Sequence, residues 1–322
     1  MKKAAFFVFI LFLGLKAMAQ GVTIDPSLTE TPITAKTLSG SISGSLVMPK
    51  SATGKIPVVI IIGDKGATDR DGNNAKTGVA GNTYKLMAND LGLKGIATVR
   101  YDKHLVGQSV TSTKESQLHF EDYSDDVVTL IDMLNNDDRF SKIILFGHGE
   151  GALVAMIAAY EQPIKGLIVA EANADKAEKI LADEMKAKPK FLADEFKAIM
   201  DSLRKGKLTD NVDPSLYYIA RPAVQPFLMS WCRYDPIRAI KSVKVPILII
   251  QGTTDMNIPV SNGDRFKKAK SDAVLLSIKN MSHILKEAPA DTDKNIETYS
   301  IPTLPLKPEM VTGIVDFVGK LK

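Results

Sequence analysis

The stretch Lys142-Ile143-Ile144-Leu145-Phe146, Gly147-His148-Gly149-Glu150-Gly151, Ala152-Leu153-Val154-Ala155-Met156-Ile157-Ala158-Ala159-Tyr160 constrains the fold more than any other. Its first part is a continuous apolar run, which as a strand is buried on both faces. Its last part is small, apolar and helix-forming. Glycines at alternate positions join the two in a sharp turn, where positive φ comes at almost no cost.

The same strand-then-helix rhythm recurs along most of the chain. Apolar runs at Pro57 to Ile62, Ile96 to Tyr101, Gly166 to Ala170, Pro246 to Ile250 and Ala273 to Ile278 read as further strands. Helical patterns fall at Asn82 to Leu93, Phe120 to Leu134 and Met310 to Leu321. Before them, Thr31 to Pro49 alternates Ile, Leu and Val around Gly40 and Gly44, which predicts an antiparallel hairpin at the sheet's edge. The alternation predicts an α/β chain with a mostly parallel central sheet and helices on both faces. Residues from about 173 to 236 break the rhythm with helical spacing of Phe191, Leu192, Phe196, Ile199, Met200 and Leu203, and predict a helical cap inserted over the sheet's C-terminal edge. Residues 20–322, with this cap included, read as a single domain.

Residues 1–19 read as a secretory signal: Lys2 and Lys3, an apolar core from Ala4 to Leu15, and Ala17-Met18-Ala19 as the cleavage site. That core is too short for the roughly 20 residues that span a bilayer. The expectation is therefore export to the periplasm or the extracellular space, with no membrane span after cleavage. Cleavage also removes Lys2, Lys3 and Lys16 and no acid, so most of the formal charge of +4 belongs to the signal. No basic patch remains to indicate a nucleic-acid partner. The single cysteine, Cys232, excludes an internal disulfide and has no patterned His partner, so it reads as structural. No two-His or Cys-pair spacing points to a metal, and Gly-x-Gly-x-Gly lacks the dinucleotide fingerprint's spacing, so neither metal nor cofactor is expected.

Open α/β sheets bind ligands beyond the carboxyl ends of their strands. Asp255 follows one strand in Gly252-Thr253-Thr254-Asp255, and His283 follows the last in Asn280-Met281-Ser282-His283. The order of glycine turn, acid and imidazole, together with Thr68-Asp69-Arg70-Asp71-Gly72-Asn73, Val99-Arg100-Tyr101-Asp102-Lys103 and the cap's Pro222-Ala223-Val224-Gln225-Pro226-Phe227, resembles a lidded α/β-hydrolase of the serine aminopeptidase and carboxylesterase type. The resemblance covers nearly all of residues 31–322. It implies that Gly149 stands at the nucleophile position, that Asp255 and His283 are the acid and base, and that the N–H of Glu150 and one from the Asp64-Lys65 turn form the oxyanion hole. It also implies a small ester, amide or peptide-like ligand as partner.

Three features depart from that pattern. Gly149 has no side chain with which to attack. The turn after Ile62 reads Gly63-Asp64-Lys65-Gly66, which sets a carboxylate against a developing oxyanion, and the next strand's loop reads Lys103-His104-Leu105. Without a hydroxyl no acyl-enzyme can form. Three readings follow: a catalytically impaired descendant that binds a small acyl-type or peptide ligand under its cap, a hydrolase using water activated by His283, and a non-enzymatic interaction domain. His148 and Glu150 read as structural, and His104 and His119 as surface or supporting residues. Phe191, Phe196, Tyr217, Tyr218, Phe227 and Trp231 are candidates for an apolar pocket roof.

Overall fold

A computed structural model describes residues 22–322; the expected signal at residues 1–19 lies outside the described residues. The chain runs through β1 (Leu28–Lys36), β2 (Gly40–Pro49), β3 (Ile56–Ile62), α1 (Thr83–Gly92), β4 (Ala97–Tyr101), β5 (Val110–Thr111), α2 (Phe120–Asn135), β6 (Phe140–His148), α3 (Glu150–Ala158) and β7 (Gly166–Ala170). It continues through α4 (Ala177–Met185), α5 (Lys190–Leu203), α6 (Tyr217–Ala220), α7 (Gln225–Trp231), α8 (Pro236–Ser242), β8 (Ile247–Gly252), α9 (Ser261–Ala269), β9 (Val274–Ile278), α10 (Thr292–Glu297) and α11 (Pro308–Lys320).

The strands form one sheet in the order β1-β2-β4-β3-β6-β7-β8-β9, with the short β5 beside β2. From β4 to β9 every pairing is parallel, while β1, β2 and β4 pair antiparallel at one edge. Side chains along each central strand divide between two cores at a period of two. Val58, Ile60 and Ile62 of β3, with Ile143 and Leu145 of β6, pack under α2 and α3; Val59, Ile61, Ile144 and Phe146 pack under α1 and α11. This division explains why the strands carry uninterrupted apolar runs. A third core belongs to the segment between β7 and β8, where Leu181, Phe196, Ile199, Leu216 and Leu228 bury one another.

Connections from β3 and β6 leave in opposite directions, since β3 leads to β4 on one side and β6 to β7 on the other. Adjacent strands with diverging connections leave a crevice at their carboxyl ends, the usual ligand position in an open α/β sheet. Asp64 follows β3 and Gly149 follows β6, so the topology alone brings them together. Four short elements, β5, α8, α9 and α10, went unanticipated. In α9 only Asn262, Gly263 and Phe266 are buried, too few to leave an apolar stripe in the sequence.

Candidate active site

Gly149 adopts φ 56° and ψ −119°, in the turn between β6 and α3. Its neighbours are glycine for want of room. A Cβ on Gly147 would stand 2.4 Å from the Ala152 Cα, and one on Gly151 would stand 2.4 Å from the Ile62 carbonyl oxygen. Gly149 is different, because what a Cβ would meet there is a side chain: the Asp64 Oδ1, at 1.9 Å.

Asp64 reaches this point from the loop after β3, which is tied down along its length. Arg70 grips the Asp102 carboxylate through Nε and Nη2 at 3.1 and 2.6 Å, and the Asp69 carboxylate accepts from the amides of Asp71 and Asn73 at 2.9 Å each. Arg100, wholly buried in β4, pairs with Asp71 and with Glu30. Asp64 itself is held at every polar group. Its N–H donates to the Tyr84 hydroxyl at 2.9 Å, and its carbonyl accepts from Lys103 Nζ. Its Oδ1 accepts the Glu150 amide at 3.0 Å, and its Oδ2 accepts from His283 Nε2 at 3.0 Å. The Asp64 amide, expected as an oxyanion donor, is thus spent on Tyr84. The Glu150 amide, the other expected donor, is spent on the Asp64 carboxylate. Lys65 lines the same cavity.

His283 lies between two carboxylates, with Nδ1 bonded to Asp255 Oδ2 at 2.8 Å. Burial disfavours its charge, but Asp255 and Asp64 together outweigh burial and push its pKa up to about 10. The ring is therefore an imidazolium at neutral pH, with no lone pair to activate water in this arrangement. Burial likewise opposes ionisation of Asp64, yet the His283 hydrogen bond and charge hold its pKa far below the usual carboxylate range. Asp255 is lowered too: burial raises it, and the His283 charge and hydrogen bond more than compensate. Its Oδ1 accepts the amides of Asn257 and Ile258 at 2.7 and 2.8 Å.

Two residues support the site from behind: Glu171, which the sequence reading did not single out, and His148, which it read as structural. Behind Asp255 lies Glu171, wholly buried, whose carboxyl is hydrogen-bonded to Asp255 and held by Gly252 N and Gln251 Nε2 at 2.6 Å each. Burial and the Asp255 charge push it well above the usual carboxylate range, so it is a neutral acid that donates to Asp255. The signal was an acid directly after the all-apolar β7. Behind His283 lies His148, lowered to about 4 chiefly by burial and hence neutral. One set of donors satisfies the whole arrangement: Asp64 N–H to Tyr84, Tyr84 O–H to His148 Nδ1 at 2.8 Å, and His148 Nε2–H to the His283 carbonyl at 2.7 Å. The relay fixes the Asp64 backbone relative to that of His283.

Other sequence candidates stand elsewhere. His104, read as a surface or supporting residue, is buried and paired with Asp126 at 2.6 Å, away from the site; His119 is exposed. Cys232 is half-buried, and burial pushes its thiol up to about 12, which leaves it inert. Among the described residues no group of three or more His, Cys, Asp or Glu could hold a metal ion, and no helix is long and apolar enough to cross a membrane.

Above Asp64, Gly149 and His283 opens a cavity of about 510 Å³, between the sheet and the α4–α8 segment. That is ample for a small organic ligand. Tyr218, Phe227 and Trp231 line it as the aromatic pattern led one to expect. Phe196 is instead inside the segment's own core, and Phe191 and Tyr217 are exposed. Helical spacing identified these aromatics but could not say which of three surroundings each faces.

A sequence model of the serine aminopeptidase S33 family matches residues 78–224. Esterase EstD of Thermotoga maritima is 23% identical over 270 residues, a match that covers 81% of this chain and 61% of that protein, less than two thirds of its length. Among solved structures, Est1E from Butyrivibrio proteoclasticus aligns with a TM-score of 0.56 at 18% identity over 89% of this chain and 98% of its own. The Pyrococcus furiosus esterase Pf2001 aligns with a TM-score of 0.59 at 15% identity over 92% of each chain. The protein has the α/β-hydrolase fold. Within that fold it is related to esterases.

Proposed function

We propose that this protein binds a small molecule with a largely apolar body beneath its cap and does not perform the acyl transfer that a serine elbow would support. One observation carries the reading: the Asp64 carboxylate stands where a side chain at position 149 would begin, and it takes both the Glu150 amide and His283 Nε2. An ester carbonyl entering the site finds no hydroxyl at the elbow, the Glu150 oxyanion donor already bonded to a negative charge, and an imidazole that is already protonated. Export of the mature chain from Gln20 is part of the proposal. Amino-terminal sequencing of protein recovered outside the cytoplasm supports it if the chain begins at Gln20, and an intact Met1 sinks it.

The test is hydrolysis of a short-chain aryl ester. The unaltered protein is expected to give no turnover above background. Gly149→Ser alone is expected to give none either, because its Cβ collides with Asp64. Gly149→Ser combined with Asp64→Gly frees both the elbow and the Glu150 amide; it is expected to gain orders of magnitude and to lose them again with His283→Ala. Turnover by the unaltered protein that disappears in His283→Ala would overturn the reading in favour of water activated by His283. Binding has its own reporter, since Trp231, the chain's single tryptophan, lines the cavity. Its fluorescence is expected to change saturably as the aryl ester is added.

A further inference from the structure

The geometry points to Asp64 as a displaced covalent nucleophile, supplied by the loop after β3 instead of by the elbow, that attacks the sp3 carbon of an alkyl electrophile with an anionic leaving group, such as a primary alkyl halide. This rests on the reading above, in which a small apolar-bodied ligand enters the cavity over Asp64.

Three observations converge on it. The Asp64 Oδ1 lies 1.9 Å from where a Cβ of residue 149 would be, so a nucleophilic group does occupy the catalytic position, although a different strand delivers it. Asp64 and His283 both line the cavity, and Oδ2, bonded to His283 Nε2 at 3.0 Å, keeps a second lone pair for a ligand carbon. The third observation selects the chemistry. The Glu150 N–H is aimed at Asp64 Oδ1 at 3.0 Å, where it cannot polarise a substrate carbonyl. It is placed to polarise the carbonyl of an ester carried on Asp64 itself.

A carboxylate that attacks a substrate ester forms a tetrahedral adduct from which the carboxylate, the weaker base, is expelled again. Attack on a saturated carbon has no such return. Oδ2 forms a C–O bond as the carbon–halogen bond breaks with its electron pair, the halide departs into the cavity, and Asp64 becomes a neutral alkyl ester. His283 then has Asp255 as its one remaining carboxylate partner and gives its Nε2 proton to solvent. The neutral imidazole can now take a proton from water as that water attacks the Asp64 Cγ, and negative charge develops on Oδ1 against the Glu150 N–H. Collapse expels the alkoxide, which takes the proton from His283, and the Asp64 acid so formed gives its own proton to His283 Nε2, which restores the carboxylate and the imidazolium together. The sum is alkyl halide plus water giving alcohol, halide and a proton. Glu171 and Asp255 keep the imidazole oriented throughout.

The probe is 1-bromohexane with the full-length mature protein. Saturable bromide release is expected. In a single turnover in 18O-water the heavy oxygen is expected in the peptide that contains Asp64, with none in the hexanol. His283→Gln is expected to accumulate one hexyl group on Asp64, seen by mass spectrometry, because the second step has lost its base. Asp64→Asn, nearly isosteric and checked for folding by its melting transition, is expected to release bromide at the uncatalysed rate and to carry no adduct. Heavy oxygen found in the hexanol alone would overturn the inference, since water would then attack the substrate directly. Saturable quenching of Trp231 by 1-bromohexane with neither bromide release nor adduct would overturn the nucleophile and leave the pocket reading standing. Absence of quenching, release and adduct together would overturn both.

Discussion

Asp64 changes what every neighbouring residue can do. In an elbow with a hydroxyl nucleophile, Asp255 orients the imidazole, and the imidazole's free nitrogen is a base. Here that nitrogen donates to Asp64 Oδ2, so His283 faces Asp64 and Asp255 on its two nitrogens while the neutral His148 lies 4.8 Å from it, ring to ring. Asp64→Asn removes one of the two charges that outweigh burial. The His283 pKa is therefore expected to fall below its value of about 10, followed as the midpoint of its 15N imidazole shifts against pH. An unchanged midpoint would mean that the Asp64 charge does not reach the ring. The sequence made Asp255, His283 and the glycine at position 149 legible, because each follows a strand in the right order. It also showed a misplaced carboxylate at position 64. It could not show that this carboxylate crosses to the elbow, because that depends on how strands distant in the chain lie side by side. The same holds for the Tyr84–His148 relay, whose members are 64 residues apart, and for the Glu171–Asp255 contact.

At the scale of elements, strands were the most legible feature. Two-layer burial forces an unbroken apolar run, and β3, β6, β7 and β8 all have one. Helices that bury a narrow stripe leave a weaker trace, and α9 left almost none. Helix α5 is the opposite case. Leu192, Phe196, Ile199, Met200 and Leu203 repeat at helical spacing and are all buried, against a core that belongs to the inserted segment alone. A segment with its own core can open without unfolding the sheet. Phe196→Ala is accordingly expected to cost about 3–5 kcal/mol. The loss should show as faster amide exchange throughout α4 and α5, with β6, β7 and β8 still protected. It should also weaken the Trp231 response to ligand, because Leu181 and Leu228 of this core line the cavity as well. Exchange that rises equally in the sheet would mean that the segment and the sheet form one cooperative unit.

Across the whole molecule, the buried charges tie folding to pH, and the sign follows from the direction of each shift. The His283 pKa is raised from an ordinary 6.5 to about 10, so the stability it contributes is complete below about 6.5 and is lost as pH rises towards 10. Above 6.5 the unfolded chain gives up a proton that the folded chain keeps, at up to about 1.4 kcal/mol per pH unit for one group. Buried Glu171 acts in the same direction: its pKa is raised, so the folded acid keeps a proton that the unfolded chain loses above about 4.5. Lys286, whose ammonium is held by the Gly81 and Ile301 carbonyls, opposes them only further up, because burial lowers it to about 8. Between pH 6.5 and 8, the loss on the His283 side should therefore dominate the difference between the protein and its His283→Gln variant. Urea unfolding at a series of pH values across that window is expected to show stability falling more steeply in the unaltered protein than in His283→Gln. Asp64→Asn should lie between the two, since Asp255 still faces the ring. Equal slopes for all three would show that His283 gains no more from its two carboxylates in the folded protein than it does in the unfolded chain. In that case the imidazolium sandwich would not describe the site in solution, and His283 would again be free to act as a base.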